Sequence, residues 1–121
     1  MEDFVPCGLA VKLKEKGFNE KCYTFYEYNS KEFYREESIP CCNSYSDDYA
    51  APTISQVLKW LRKKKNIFVV TFIADDSDTP LTYEIYMGTE CLLTHHGEYF
   101  TLQEWDKCNL VGIEYVVDNL I

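Results

Sequence analysis

A change of hydrophobic period in the middle of the chain constrains the fold most. The apolar side chains of one stretch recur at the spacing of a helix face: Ile54, Val57, Leu58 and Leu61. Only a short, mainly basic stretch separates them from residues 67–74, which are almost all β-branched or aromatic. The pattern predicts a helix followed at once by a strand. Because this strand lacks the alternation of a half-exposed one, we expect it to be covered on both faces, at the centre of a sheet.

Two further segments have the apolar spacing of a helix. Residues 6–16 begin at a proline, which suits a first helical turn, and lead to Gly17, which suits the left-handed end of a helix. Residues 101–120 begin with Thr101 and Glu104, the two members of a capping box. The sequence therefore predicts three helices.

The strands are predicted from runs of β-branched and aromatic residues. Besides 67–74, such runs lie at 22–28, 81–87 and 91–94, and a polar turn of about five residues should join 67–74 to 81–87 as a hairpin. This order predicts an α+β fold, with about three helices packed on one face of a small, mainly antiparallel β-sheet. The length suits one domain, and no linker interrupts the chain, so we expect a single domain over 1–121.

The charge and apolar content limit the classes of function. The chain has a net charge of -8 and 46% apolar residues, so we expect a folded protein that repels phosphate backbones and anionic membranes. The amino terminus lacks the basic and then apolar pattern of a secretory signal. The longest apolar run is far shorter than the roughly 20 residues that cross a bilayer. The sequence thus predicts a cytoplasmic protein that binds no nucleic acid directly and no membrane.

Six cysteines in so short a chain could indicate a disulfide framework. Such frameworks belong to exported domains that are too small to build a core, and this chain has neither property. Several of the cysteines lie among apolar neighbours and are expected to be buried, reduced thiols: Cys7, Cys22, Cys91 and Cys108.

Residues 29–51 form a long polar segment with no sustained period. A connection of this length in a compact domain is usually functional or disordered. Tyrosines in and before it offer rigid, amphipathic contact area, and its acidic residues favour a basic partner. The predicted partner-binding residues are Tyr23, Tyr26, Tyr28, Tyr34, Glu36, Glu37, Tyr45, Asp47, Asp48 and Tyr49. We therefore expect a non-enzymatic accessory or protein-interaction module that binds another protein and uses no cofactor.

A metal or catalytic site near the only two histidines is an alternative. Cys91, His95 and His96 could ligate zinc, or a cysteine and a histidine could act as nucleophile and base in a small enzyme. Their spacing differs from the paired ligands of structural zinc sites, and adjacent side chains on a strand point to opposite faces. A further alternative is an acidic inhibitor that imitates DNA, because carboxylates are spaced along residues 32–49.

Several short stretches resemble a family of small uncharacterised bacterial proteins, common in the genomes and mobile elements of gut Bacteroidetes. The stretches that carry this resemblance are Phe4 to Pro6, Leu13 to Phe18, Ala51 to Thr53, Gln56 with Val57, Trp60 to Arg62, and Tyr83 to Ile85. The resemblance extends over roughly half of the chain, and Lys21 and residues 29–50 and 91–98 depart from the pattern. No activity is established for that family, so the resemblance implies no functional residue.

Overall fold

The computed structural model describes residues 3–36 and 38–121. Its backbone divides into two compact units, Met1–Ser55 (unit 1) and Gln56–Ile121 (unit 2). The helices and strands are α1 (Cys7–Glu15), β1 (Thr24–Tyr26), β2 (Phe33–Arg35), β3 (Tyr49–Ala50), α2 (Ile54–Trp60), β4 (Ile67–Ile73), β5 (Leu81–Met87), β6 (Glu90–Leu93) and α3 (Trp105–Asn119). The predicted α+β fold and its three helices are confirmed. The prediction of a single domain stays a prediction.

The strands form two antiparallel sheets of three strands, whereas the sequence predicted one sheet. In unit 1 the order is β2-β1-β3, and α1 packs against β3. The helix begins after Pro6, ends before Gly17 at φ 90°, and buries Leu9, Ala10 and Leu13. The strands of unit 1 are only two or three residues long, too short for an alternating pattern that would predict a second sheet.

In unit 2 the order is β4-β5-β6, and a loop over residues 74–80 joins β4 to β5. The predicted hairpin is confirmed, but the prediction that 67–74 lies at the centre of a sheet is wrong. The central strand is β5, and β4 lies at the edge, with Val70 41% and Ile73 62% exposed. Contact with α3 on one face accounts for part of the apolar run of β4.

Helix α3 packs on β4 and β5 through its buried side. Gly112 makes the closest approach, since a Cβ atom at this position would lie 2.5 Å from Val69 Cγ1 and 3.2 Å from Tyr83 Cδ2. The Thr101 N–H donates to Glu104 Oε1 at 2.9 Å, and the predicted capping box therefore forms at the single 3₁₀ turn that precedes α3. No helix within residues 3–36 and 38–121 has the length and apolar content that a bilayer span requires.

All six cysteines are free thiols. Cys22 and Cys108 are buried as predicted, whereas Cys91 is exposed on the edge strand β6, so its predicted burial is wrong. The adjacent pair Cys41 and Cys42 is buried as well. Burial, and then the nearby thiols of Cys41 and Cys42, raise the pKa of Cys22 to about 12.

Candidate functional site

Residues 23–36 form a two-stranded hairpin with an aromatic surface, which we call the aromatic hairpin. Its strands pair in register, with Phe25 opposite Tyr34 and Tyr26 opposite Phe33. The turn is closed by Glu27 N–H donating to the Glu32 carbonyl at 2.9 Å. Because side chains alternate between the faces of a strand, the two aromatic pairs lie on opposite faces.

One face of the aromatic hairpin is held by the segment that precedes α1. The Phe33 ring lies 5.2 Å from the ring of Phe4 and 5.4 Å from that of Tyr26. The Tyr26 hydroxyl donates to the Val5 carbonyl at 2.6 Å, and the Arg35 guanidinium lies 5.5 Å from the Phe4 ring centre. These contacts fix the hairpin on its own unit and leave Phe33 42% exposed.

The opposite face is more open. Phe25 and Tyr34 stack with their ring centres 5.8 Å apart, and Tyr34 remains 42% exposed. The Tyr34 hydroxyl donates to Glu32 Oε2 at 3.0 Å, and this hydrogen bond raises the pKa of Tyr34. An aromatic ring with a carboxylate at its tip therefore faces solvent beside the edge of the sheet.

The outer edge of β2 carries backbone groups with no strand beside them. Among the described strands, β2 has β1 as its one neighbour. Glu27 N–H bonds to the Glu32 carbonyl and Glu36 N–H bonds to the Tyr23 carbonyl, so the even-numbered residues of β2 face β1. The N–H and C=O groups of Phe33 and Arg35 must therefore point outward.

A cluster of tyrosine and lysine side chains contacts the carboxyl-terminal end of the polar segment 29–51. Tyr28 and Tyr49 stack with ring centres 6.1 Å apart, and Lys31 Nζ lies 5.0 Å and 4.9 Å from their centres. Lys14 Nζ donates to the Ser46 and Asp48 carbonyls at 2.6 and 3.0 Å. The Tyr28 N–H also donates to Asp48 Oδ1 at 3.0 Å. This cluster has a structural role.

The predicted partner-binding residues divide into two groups. Three are half-buried and hold the fold: Tyr26, Asp48 and Tyr49. Six are exposed: Tyr23, Tyr28, Tyr34, Glu36, Tyr45 and Asp47. Glu37 lies outside the described residues. Phe33 and Arg35 are not among the predicted partner-binding residues, although Phe33 and Tyr34 already indicated a short strand, which the structure contains as β2.

The two histidines line a cavity in unit 2. Its volume is about 270 Å³, below the roughly 300 Å³ at which small-molecule sites usually begin. The lining residues are Phe72, Ala74, Thr82, Tyr83, Glu84, Thr94, His95, His96 and Tyr99. Hydrogen bonds from Thr94 and Tyr86 lower the pKa of Glu84, which therefore stays ionised at neutral pH.

Both ring nitrogens of His96 are engaged within the protein. Nε2 lies 2.7 Å from the Tyr83 carbonyl, and the Glu98 N–H donates to Nδ1 at 3.1 Å. This pattern requires the proton on Nε2. The imidazole also stacks on the Tyr83 ring at 4.1 Å. His96 thus supplies a hydrogen bond to β5 beyond the end of β6, and no nitrogen is left for a metal or a substrate.

The predicted group Cys91, His95 and His96 does not assemble. In the described part of the chain, no three His, Cys, Asp or Glu side chains are grouped so that they could hold a metal ion. Cys91 does not line the cavity, and its Sγ donates to the Leu93 carbonyl at 3.6 Å. His95 is exposed at φ 52°, as a turn residue.

Comparisons of the chain with protein-family models, with curated proteins and with solved structures found no match. The function must therefore be argued from the geometry of the two units.

Proposed function

We propose that the protein is a non-enzymatic interaction module that binds an extended segment of another protein along the outer edge of β2. One observation carries this proposal: β2 is an edge strand whose three residues are all exposed, with the backbone groups of Phe33 and Arg35 directed outward. Addition of a strand to such an edge is a common mode of peptide recognition, in which backbone hydrogen bonds supply affinity.

The side chains around this edge support a partner with basic and apolar residues. Tyr23 and Tyr34 are 50% and 42% exposed, and such rings contribute contact area at little entropic cost. Exposed carboxylates of Glu32, Glu36 and Asp47 lie in the same segment of unit 1, so they favour a positively charged partner.

Two substitutions at one position test the mode of binding. Arg35→Pro removes an outward N–H and spares the pairing with β1, a position at which an edge strand tolerates proline. Arg35→Ala keeps that N–H and removes only the side chain. We expect Arg35→Pro to abolish partner binding and Arg35→Ala to retain most of it, with the circular dichroism of both variants unchanged.

The partner is captured first, with a photoreactive amino acid placed at position 33 in bacterial cells. The control carries the same group at Tyr99, which is 47% exposed in unit 2. A protein that is cross-linked only from position 33 is the candidate partner. Its binding to the unsubstituted chain should protect the Phe33 and Arg35 amides from hydrogen exchange. Equal products at both positions, or full binding by Arg35→Pro, would contradict strand addition. For an inhibitor that imitates DNA, the partner would be a nucleic-acid-binding protein that DNA displaces.

A further inference from the structure

The edge strand β4 lacks the features that usually block sheet edges. Natural edge strands carry lysine, proline or a bulge, or they are very short. Strand β4 has seven residues, with no charge, no proline and no glycine, and it pairs with β5 without a bulge. Val70 and Ile73 are 41% and 62% exposed. Within the described residues, β5 is the only strand beside it.

The outward backbone groups of β4 follow from the hydrogen bonds at its two ends. The Gly88 N–H donates to the Asn66 carbonyl, and the Ala74 N–H donates to the Pro80 carbonyl. Even-numbered residues between these positions therefore face β5. The N–H and C=O groups that face outward belong to Ile67, Val69, Thr71 and Ile73.

The two ends of β4 carry opposite charges. Four basic residues, Arg62–Lys65, precede the strand, and Asp75, Asp76 and Asp78 follow it. All of these lie in unit 2. A second β4 paired in the antiparallel direction would meet each basic end with an acidic end, whereas a parallel pairing would oppose like charges.

We propose that two copies of this chain pair their β4 strands in the antiparallel direction and join their unit 2 sheets into one sheet of six strands. Twofold symmetry about Val70 centres the register on an exposed residue. Val70 then lies opposite Val70 of the second copy, Val69 opposite Thr71, and Ile67 opposite Ile73. The outward backbone groups of Val69 and Thr71 then form hydrogen-bonded pairs, whereas Ile67, which is 1% exposed, lies at the covered end of β4.

The same register accounts for the flanking charges. Lys64 and Lys65 lie in the helical turn that ends at the left-handed Asn66, so the register brings the basic end of each β4 near the acidic end of the other without fixing residue pairs there. The pairing also places β4 at the centre of a sheet, the position that its uncharged sequence favours. A symmetric contact of this kind closes after two copies, so the expected assembly is a dimer and not a fibre.

A lysine at the symmetry axis is the first test. Val70 is exposed and lies across from Glu84 on β5, so Val70→Lys finds a carboxylate in its own chain and keeps the fold. In the dimer it places two lysines side by side. Sedimentation over a range of concentrations should show a wild-type dimer whose dissociation constant rises about tenfold or more in Val70→Lys. Val70→Thr is the control and should stay dimeric.

Cysteine cross-linking tests the register in a Cys91→Ser background, which removes the exposed native thiol. Oxidised glutathione should link Val70→Cys to its copy, with one disulfide formed and two glutathione thiols released. Ile73→Cys, which faces Ile67, should link poorly.

Charge reversal gives a third readout. The double substitution Lys64→Glu with Lys65→Glu should weaken the dimer. Adding Asp75→Lys and Asp76→Lys to that variant should restore it. A monomer at every concentration, equal cross-linking at both positions, or failed restoration would overturn the proposal.

Discussion

Different kinds of interaction are prominent inside unit 1 and inside unit 2. In unit 1, polar side chains bond to the backbone of distant segments: Asn43 Nδ2 donates to the Phe18 carbonyl at 2.8 Å, and the Ala50 N–H donates to Asn43 Oδ1 at 2.9 Å. The Thr24 hydroxyl likewise donates to the Ala51 carbonyl at 2.6 Å. In unit 2, a long helix packs closely on a regular hairpin. Buried hydrogen bonds from side chains to distant backbone are therefore prominent in unit 1, and the close packing of α3 on β4 and β5 is prominent in unit 2.

The largest expected effect is in the packing of unit 2. Gly112→Val forces side-chain atoms into the space of Val69 and Tyr83, and overpacking of this kind should lower the free energy of unfolding by about 3 kcal/mol. Urea unfolding followed by tryptophan fluorescence reports this loss, since both tryptophans lie in unit 2.

Gly8→Val is the matched control for that substitution. A Cβ atom at Gly8 in α1 would meet nothing within 4 Å, so we expect a change below about 0.5 kcal/mol. If Gly8→Val and Gly112→Val were equally destabilising, the close approach of α3 to Val69 and Tyr83 would not be the cause of the loss at Gly112.

The second effect concerns the polar connections of unit 1. Asn43→Leu keeps the side-chain volume but leaves the Phe18 carbonyl and the Ala50 N–H without partners in a buried place. The expected loss is about 2 kcal/mol, measured by urea unfolding and by faster hydrogen exchange in β1 and β3.

Asn19 provides the comparison for Asn43. Its Oδ1 accepts the Ser44 N–H at 2.8 Å, but this pair is exposed, so water can replace it. Asn19→Ala should cost less than about 1 kcal/mol. An equal cost at both positions would mean that burial does not set the strength of these connections.

This difference explains which parts of the fold the sequence could predict. The hairpin of β4 and β5 and the capping box at Thr101 rest on patterns between near neighbours, and both predictions are confirmed. The order of residues 41–50 rests in part on Asn43, whose partners are Phe18, 25 residues away, and Ala50, which lies outside any helical or strand period. No local pattern marks an asparagine that binds distant backbone.

The sequence also did not predict which strands lie next to each other in a sheet. The run 67–74 indicated a strand correctly, but its apolar content did not reveal which strands lie beside it. For the candidate site, exposed tyrosines were predicted and the outward edge of β2 was not, because Phe33 and Arg35 acquire that role only from the pairing of β1 with β2.

The third prediction compares the two histidines of unit 2. His96→Ala removes the hydrogen bond to the Tyr83 carbonyl and the ring stacking, and should cost about 1 kcal/mol. His95→Ala changes an exposed side chain and should cost less, with thermal unfolding as the measurement. Stoichiometric zinc in the purified protein, lost on His95→Ala, would instead favour the alternative of a metal site.

The last effect appears only at alkaline pH and involves one buried group in each unit. Burial raises the pKa of Cys22 in unit 1 from 9.0 to about 12, and burial, followed by nearby Glu98, raises that of Tyr83 in unit 2 from 10.0 to about 12. The unfolded chain loses each proton first, so each contribution to stability is complete below the unfolded pKa and is lost as the pH rises toward 12.

Unfolding in urea at several pH values can separate these two groups. Between pH 9 and 10 the decline should come mainly from Cys22, with smaller parts from Cys41 and Cys108, whose pKa values burial also raises, so Cys22→Ala should make the decline shallower. Above pH 10, Tyr83→Phe should flatten the remaining decline. An unchanged slope in Cys22→Ala would mean that the buried thiols of unit 1 are hydrated, and that this unit is looser than its hydrogen bonds indicate.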